Sequence, residues 1–461
     1  MNSNKNQALF SFRKTLTNIF QKLVSRIKNL TQKQKILLGI STGIILLAVI
    51  ILTSFFALKA SGKKHLYSKA SSAKPYLTTE ASQTDASMNS ELIINPDDMG
   101  DISAIEESTE NPDTEAKTAD SAAETSQEAA VSEADSENTE NENDYSVVKS
   151  NENEDGEFVL ENSPQQTTSG YIEQAPEGAS YDIIYQGTKY KYNQDILTHL
   201  VLGIDKRDVV SPAADGISGG QSDAMFLVVM NPHTSSMKII AIPRDTIAKI
   251  DVYDRSGSYV QSGYAQICLQ HGYGDGMSVS NERAKSAVSS LFYNLPIHSV
   301  TSVNMGAIPG INDAVGGITL ESLYTFSDEG WDFVKGQTIH LEGTGAYSYT
   351  HYRDTSRHYT APERLERQKQ YITLFTDQAL QQIQKNIATV VNIYQSVQDY
   401  VVTDLGINDM TYLASEISGY HFDGITSLQG TVDISQKYER YYLDMDAFYQ
   451  LMVDTFYEPV A

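Results

Sequence analysis

The sequence predicts an α/β domain preceded by one transmembrane helix and a disordered linker, and three observations predict it. Residues 36–58 form an uncharged, mostly apolar run, ILLGISTGIILLAVIILTSFFAL. Residues 80–161 carry 25 acids against two bases and few aromatics. From about Tyr181 onward, β-prone apolar runs alternate with helical periodicity, the pattern of one α/β or α+β domain.

A helix over the 23 residues 36–58 would reach ~35 Å, enough to cross a hydrocarbon core of ~30 Å. The segment before it, 1–35, holds eight Lys+Arg and no acid. That bias expects the N-terminus inside and the bulk outside, a single-pass protein of the cell membrane with an extracytoplasmic domain. Its basic segment is too long for the n-region of a cleaved signal, so an uncleaved anchor is expected. Residues 59–180 are expected as an acidic, disordered extracytoplasmic linker, because such a composition buries too little apolar area to offset chain entropy. The folded domain is expected over 181–461.

Within that domain, Leu200–Gly203 opens a buried strand ending at Ile204-Asp205. Ala224–Met230 and Met237–Ile242 read as a hairpin across Asn-Pro-His-Thr-Ser-Ser. A helix follows at Glu282–Phe292, a strand at 297–305 and a helix at Ile308–Val315, stopped by Gly316-Gly317. Pro362 starts a long helix running to about Gln384, and two more helices fall at 407–418 and 444–456.

Charge and cysteine count exclude several functions. The 461 residues carry a net charge of −25, which repels phosphate backbones, so no nucleic acid is expected as a partner. The single Cys268 excludes an internal disulfide, a Cys-based zinc site and an iron–sulfur cluster. There is no G-x-S-x-G elbow and no Walker A loop.

Four clusters can carry chemistry. Asp205, in Gly203-Ile204-Asp205-Lys206-Arg207, sits at the carboxyl end of a strand, where open α/β sheets place ligands. Asp223 ends the loop Gly219-Gly220-Gln221-Ser222-Asp223. Two such carboxylates suit a hard divalent ion, although by spacing alone each acid is more readily a cap or turn residue. Arg244, at the end of the second hairpin strand, can fork onto a phosphate or simply pair with Asp245. The fourth cluster is His351, Arg353, Arg364, Arg367 and Gln368, with the last three on one face of a helix.

In this order, these clusters resemble the LytR-CpsA-Psr family of extracytoplasmic enzymes that attach glycopolymers to Gram-positive cell walls. The resemblance covers roughly 195–390 and rests on VLGIDKRD (201–208), QSDAMFLVVMNPHTSSMKIIAIPRDT (221–246), INDAVGGI (311–318), GQTIHLEGTGAYSYTHYRD (336–354) and RLERQKQYI (364–372). It implies an α-β-α sandwich with a mixed central sheet. It also implies Mg2+ (or Mn2+) held by Asp205 and Asp223, with Arg207, Arg244, His351, Arg353, Arg364, Arg367 and Gln368 around the pyrophosphate of a polyprenyl-linked glycopolymer. The implied reaction is a phosphotransfer that attaches a teichoic acid or capsule-type glycopolymer to a peptidoglycan hydroxyl, and the same site would also serve a pyrophosphatase activity with water as the nucleophile. The implied catalytic set is Asp205, Asp223, Arg244, Arg353, Arg364 and Gln368.

Gln221 stands where the family usually has Arg, His351 replaces the first Arg of an R-x-R pair, and Gln266-Ile267-Cys268 departs from Lys-Ile-Asn-His. These departures imply a divergent branch. They leave open a non-catalytic module that binds polyprenyl pyrophosphate or wall glycan, and a membrane-bound regulator of envelope genes.

Overall fold

The computed structural model describes residues 52–69, 74–77, 146–148 and 172–460, apart from 355, 358, 359, 387, 436 and 437. At its centre is a six-stranded sheet. Its strands are β1 (Leu197–Ile204), β2 (Ser222–Asn231), β3 (Ser236–Ile242), β4 (Ser299–Asn304), β5 (Val401–Thr403) and β6 (His421–Ser427), in the order β5-β4-β1-β2-β3-β6. The β1–β2–β3 meander and the β4–β5 pair are antiparallel, while β4 runs parallel to β1 and β6 parallel to β3. The sheet is therefore mixed.

Period-two alternation assigns each strand residue to a face. Leu200, Leu202, Ile204, Met225, Leu227, Val229, Ile240 and Ile242 pack against Ala284, Ala287, Val288 and Leu291 of helix α2 (Ser278–Leu291). Phe448, Met452, Val453 and Phe456 of helix α5 (Met445–Phe456) complete that layer. On the other face, Phe226, Ile239 and Ala241 meet Leu365 and Ile372 of the long helix α3 (Ala361–Lys385). Met230 and Met237 meet Tyr412 and Leu413 of helix α4 (Ile407–Ile417). The result is the α-β-α sandwich, with the core in both interlayer spaces.

The expected strands and helices of the domain form close to their expected places. The hairpin of Ile247–Tyr253 and Tyr259–Gln266 was not anticipated. Neither was the small antiparallel sheet that joins Tyr457–Pro459 to Thr188–Tyr192, Ile183–Tyr185 and Ile172–Gln174.

The boundary of the folded body also differs from expectation. Most of the expected span, 36–51, lies outside the described residues, as does most of the expected linker. Among the described residues, no helix is long and apolar enough to cross a membrane. Yet helix α1 (52–69) reaches into the segment expected to be disordered and packs on α4. Leu66 is fully buried there, His65 pairs with Asp409 at 2.9 Å, Lys59 with Glu416 at 2.8 Å and Lys69 with Asp404 at 2.9 Å. Gly62 is required at this crossing, because a Cβ would lie 2.0 Å from the Asn408 carbonyl oxygen.

Residues 74–77 continue the docking. Tyr76 N–H donates to the Tyr293 carbonyl, and Leu77 is buried in the main core beside Ile172. The Gln174 amide donates to the Leu77 carbonyl, so the chain positions on either side of the acidic segment meet on the domain. Within that segment, Ser146–Val148 pairs in parallel with Gly430–Asp433. Burial of the apolar Leu66 and Leu77 in a compositionally polar stretch holds these pieces on the domain.

Candidate active site

The cleft opens where β2 begins and β3 ends. It is lined by Asp223, Arg244, Asp245, Arg364, Gln368 and Glu439, with Ala224, Met225, Ile242 and Leu365 as its apolar wall. The fold delivers these side chains from four places: the start of β2, the end of β3, the first turns of α3, and the loop before the Arg440–Leu443 strand.

Asp223 is the hub. Arg244 donates to one carboxylate oxygen and Arg364 to the other, the second at 3.1 Å. Burial alone would raise the Asp223 pKa, but the two guanidinium groups outweigh it and hold the carboxyl below its ordinary range. Arg364 is only 6% exposed, so this is a buried charge cluster rather than a surface pair.

Asp205 is held differently. Its Oδ1 accepts from the Gln221 N–H at 2.8 Å, and its own N–H donates to the Gln221 carbonyl at 3.1 Å. Burial and then the neighbouring Asp223 charge push its pKa up to about 6. Gln221 also accepts from Arg244 Nη2 at 2.6 Å through its side-chain oxygen. The residue that replaces the family's usual Arg thus links Asp205 to Arg244. Gly220, at φ +88°, is the necessary neighbour: a Cβ there would lie 2.8 Å from Ile204 Cγ2 and 3.0 Å from Asp205 Oδ1.

The remaining expected residues divide. His351 stacks on Tyr347 with ring centroids 4.7 Å apart, and Arg207 lies 4.2 Å over the same ring while pairing with Glu329 at 2.6 Å. Burial and then Arg364 lower the His351 pKa, so a neutral imidazole stands where a guanidinium would be expected. Arg353 pairs with Glu439 at 3.2 Å, and Gln368 donates to the Thr350 carbonyl at 3.2 Å.

Arg367 is turned inward, contrary to its expected place at the pyrophosphate. It is 2% exposed, donates through Nε to the Tyr349 carbonyl at 2.8 Å and through Nη2 to the Tyr352 carbonyl, and lies 4.6 Å over the Phe326 ring. Those bonds join α3 to the Thr344–His351 helix. Cys268 is buried, with its thiol pushed up to about 12, which removes it as a nucleophile.

Glu439 was not anticipated from the sequence, whereas Asp245 takes the expected place beside Arg244. Asp245 lies 3.5 Å from Arg244 Nε and is raised by burial, with Arg244 opposing and Glu439 adding to the rise. Glu439 follows β3 by almost 200 positions, and a Thr246–Tyr441 bridge brings its loop to the cleft. No local pattern marks it.

The donor set fits a small hard cation. Asp205 and Asp223 are both largely withdrawn from water and near enough for the Asp223 charge to raise the Asp205 pKa, and each Asp223 oxygen keeps a lone pair beside its arginine. Among the described residues no group of three or more His, Cys, Asp or Glu gathers to enclose a metal. The remaining ligands would be water and phosphate oxygens, the usual habit of Mg2+.

The fold and the cleft define a mixed α/β sandwich with a basic–acidic site at its strand ends. The chain belongs to the LytR_cpsA_psr family, whose model matches residues 161–454. It is 29% identical over 226 residues to "Polyisoprenyl-teichoic acid--peptidoglycan teichoic acid transferase TagU" of Enterococcus faecalis, covering 48% of this chain and 66% of that one. A relative of the same name from Bacillus cereus is 34% identical over 157 residues, covering 33% of this chain and 43% of that one. The match thus spans under two thirds of each relative's length. The crystal structure of B. subtilis TagU is similar at 23% identity and a TM-score of 0.40, covering 58% of this chain and 99% of that one.

Proposed function

We propose that this chain transfers a polyprenyl-pyrophosphate-linked glycopolymer, of teichoic acid or capsule type, to a peptidoglycan hydroxyl. The observation that carries the reading is the Asp223 cluster: two arginines from distant elements, buried and converging on one carboxylate beside a second acid. Family membership and the transferase names of the relatives support it.

In the reaction, the acceptor hydroxyl oxygen forms a bond to the sugar-linked phosphorus. The phosphorus–oxygen bond to the polyprenyl phosphate breaks, that phosphate leaves with the electron pair, and the hydroxyl proton passes to a base. Little covalent chemistry falls to the protein; charge neutralisation and orientation do the work. Arg244 and Arg364 neutralise the phosphate oxygens, exchanging part of their hold on Asp223 for the substrate. Arg353 and Gln368 stand at the rim to orient it, and neutral His351 donates or accepts a hydrogen bond without adding charge. Mg2+ or Mn2+, held by Asp205 and Asp223, would supply Lewis-acid stabilisation of the leaving phosphate. The apolar wall of Ala224, Met225, Ile242 and Leu365 offers a path for the lipid tail. An N-terminal anchor over 36–58 would present the domain at the outer membrane surface, where lipid-linked donors and wall acceptors meet.

The test is incubation of the chain with a polyprenyl-pyrophosphoryl oligosaccharide and peptidoglycan oligomers, with and without Mg2+, followed by mass spectrometry. Phosphodiester-linked product that needs Mg2+ and disappears in Arg364→Ala supports the ligase. Release of polyprenyl phosphate without transfer would make it a pyrophosphatase, and binding without release a non-catalytic module.

A further inference from the structure

We infer that His271 is a positioning residue that sets the Gly219–Gln221 turn and, through Gln221, aims both Asp205 and Arg244. This rests on the transfer reading for its catalytic consequence, but its structural content stands on separate contacts.

The turn is laced to the Leu269–Gly272 helical turn at three points. Two are backbone bonds that any sequence could make: Gly219 N–H to the Gly272 carbonyl at 2.9 Å, and Ser222 N–H to the Cys268 carbonyl at 3.1 Å. The middle point depends on a side chain. His271 Nδ1 donates to the Gly220 carbonyl at 2.9 Å. The ring is fully buried, and its Nε2 lies 3.2 Å from the side-chain amide oxygen of Asn281 on α2. Asn281 in turn donates to the Val402 carbonyl on β5 at 3.1 Å. The neutral ring carries one N–H, so its hydrogen bond is the one to the turn, while contact with Asn281 and burial fix where the imidazole sits.

What the turn carries makes the placement matter. Gln221 N–H donates to Asp205 Oδ1, and Gln221 Oε1 accepts from Arg244. One residue therefore orients the acid on one side of the cleft and the arginine on the other. Neither glycine can adjust for a lost anchor by taking a bulkier, stiffer residue. A Cβ on Gly219 would lie 2.4 Å from the His271 carbonyl oxygen, and one on Gly220 would strike Ile204 and Asp205. Small errors in such alignment cost rate out of proportion to stability. Gln221 is thus placed by an imidazole that holds the carbonyl of the residue before it.

The test compares His271→Phe, which fills the space without donating, and His271→Asn, which returns an N–H near the Nδ1 position. Hydrogen–deuterium exchange of the full chain is read on the peptide spanning 218–223, alongside the melting temperature. We expect exchange in that peptide to accelerate about tenfold or more in His271→Phe, with protection retained in the core strands β1 and β2, and to return toward the parent in His271→Asn. In the transfer assay, kcat falls about tenfold or more in His271→Phe with KM within about twofold, and recovers in His271→Asn. Unchanged exchange at 218–223 in His271→Phe overturns the inference whatever the activity. So does equal loss in both variants with general deprotection, which would mean a packing role alone. A parent chain without transfer activity, but with the exchange pattern above, would refute the ligase reading and leave the positioning role standing.

Discussion

Asp223 and Arg364, 141 positions apart in the chain, form a buried ion pair at 3.1 Å, with Arg244 on the other carboxylate oxygen. Strand β2 and helix α3 are thereby joined across the cleft by the groups proposed to bind the phosphates. Stability and activity share one set of charges, and several expected outcomes come from that.

Removing Asp223 leaves two buried guanidinium groups without their counter-ion. Asp223→Ala should destabilise the chain by about 3 kcal/mol, close to the cost of breaking a buried pair. Asp223→Asn, which keeps the shape and some hydrogen bonding, should lose less. Chemical denaturation of both variants checks this, and equal stability of Asp223→Ala and the parent would show the pair to be solvated.

Asp205 works in the opposite direction. Its pKa is raised to about 6 from the ordinary 3.8, so the folded state binds a proton more tightly than the unfolded state between those values. Its contribution is fully favourable below the ordinary 3.8 and is lost as pH rises through about 6. At pH 7 the ionised carboxyl is therefore a burden, and Asp205→Asn should raise stability by about 1 kcal/mol while abolishing transfer. Thermal melts at pH 7 and pH 4 test the sign: the gain should shrink at the lower pH.

Three histidines withdrawn from water supply acid sensitivity. Burial drives His199, His271 and His298 down to about 4. Unfolded, each takes up a proton near pH 6.5, so the stability they permit above that pH is lost progressively as pH falls from 6.5 toward 4. His298→Gln should weaken that dependence in a melting series; an unchanged slope would place the acid sensitivity elsewhere.

Arg367 should behave as a structural residue. Arg367→Ala removes two bonds to carbonyls and a cation–π contact with Phe326, and should cost about 3 kcal/mol. Its readout is the denaturation midpoint. A variant of unaltered stability that only weakens pyrophosphate binding would return Arg367 to the substrate.

A chain beginning at 175 should be markedly less stable than one beginning at 52 with residues 80–145 replaced by a short flexible link. The shorter form loses Leu66 and Leu77, each worth about 2 kcal/mol of burial, together with the ion pairs of α1. Comparing the two melts decides whether the folded body starts at α1.

Much of this protein is written locally. Alternation of Leu200, Leu202 and Ile204 against Val201 reports a strand with two buried faces, and Pro362 with the apolar spacing after it reports α3, because neighbours in sequence are neighbours on a strand or helix. Asp205, Asp223, Arg244 and Arg364 are legible for the same reason: each ends or begins a regular element, where side chains meet a cleft. What tertiary structure alone decided are the pairings between elements. Arg364 and Arg367 lie one helical turn apart and look alike in sequence, yet the first reaches Asp223 and the second is sealed against Phe326, because α3 is rotated by what packs on its other side. Glu439 arrives from a distant loop, and Leu66 and Leu77 fold because α4 and the main core offer them apolar surface. Composition could assign that stretch only to a linker, since burial is a property of the partner as much as of the residue.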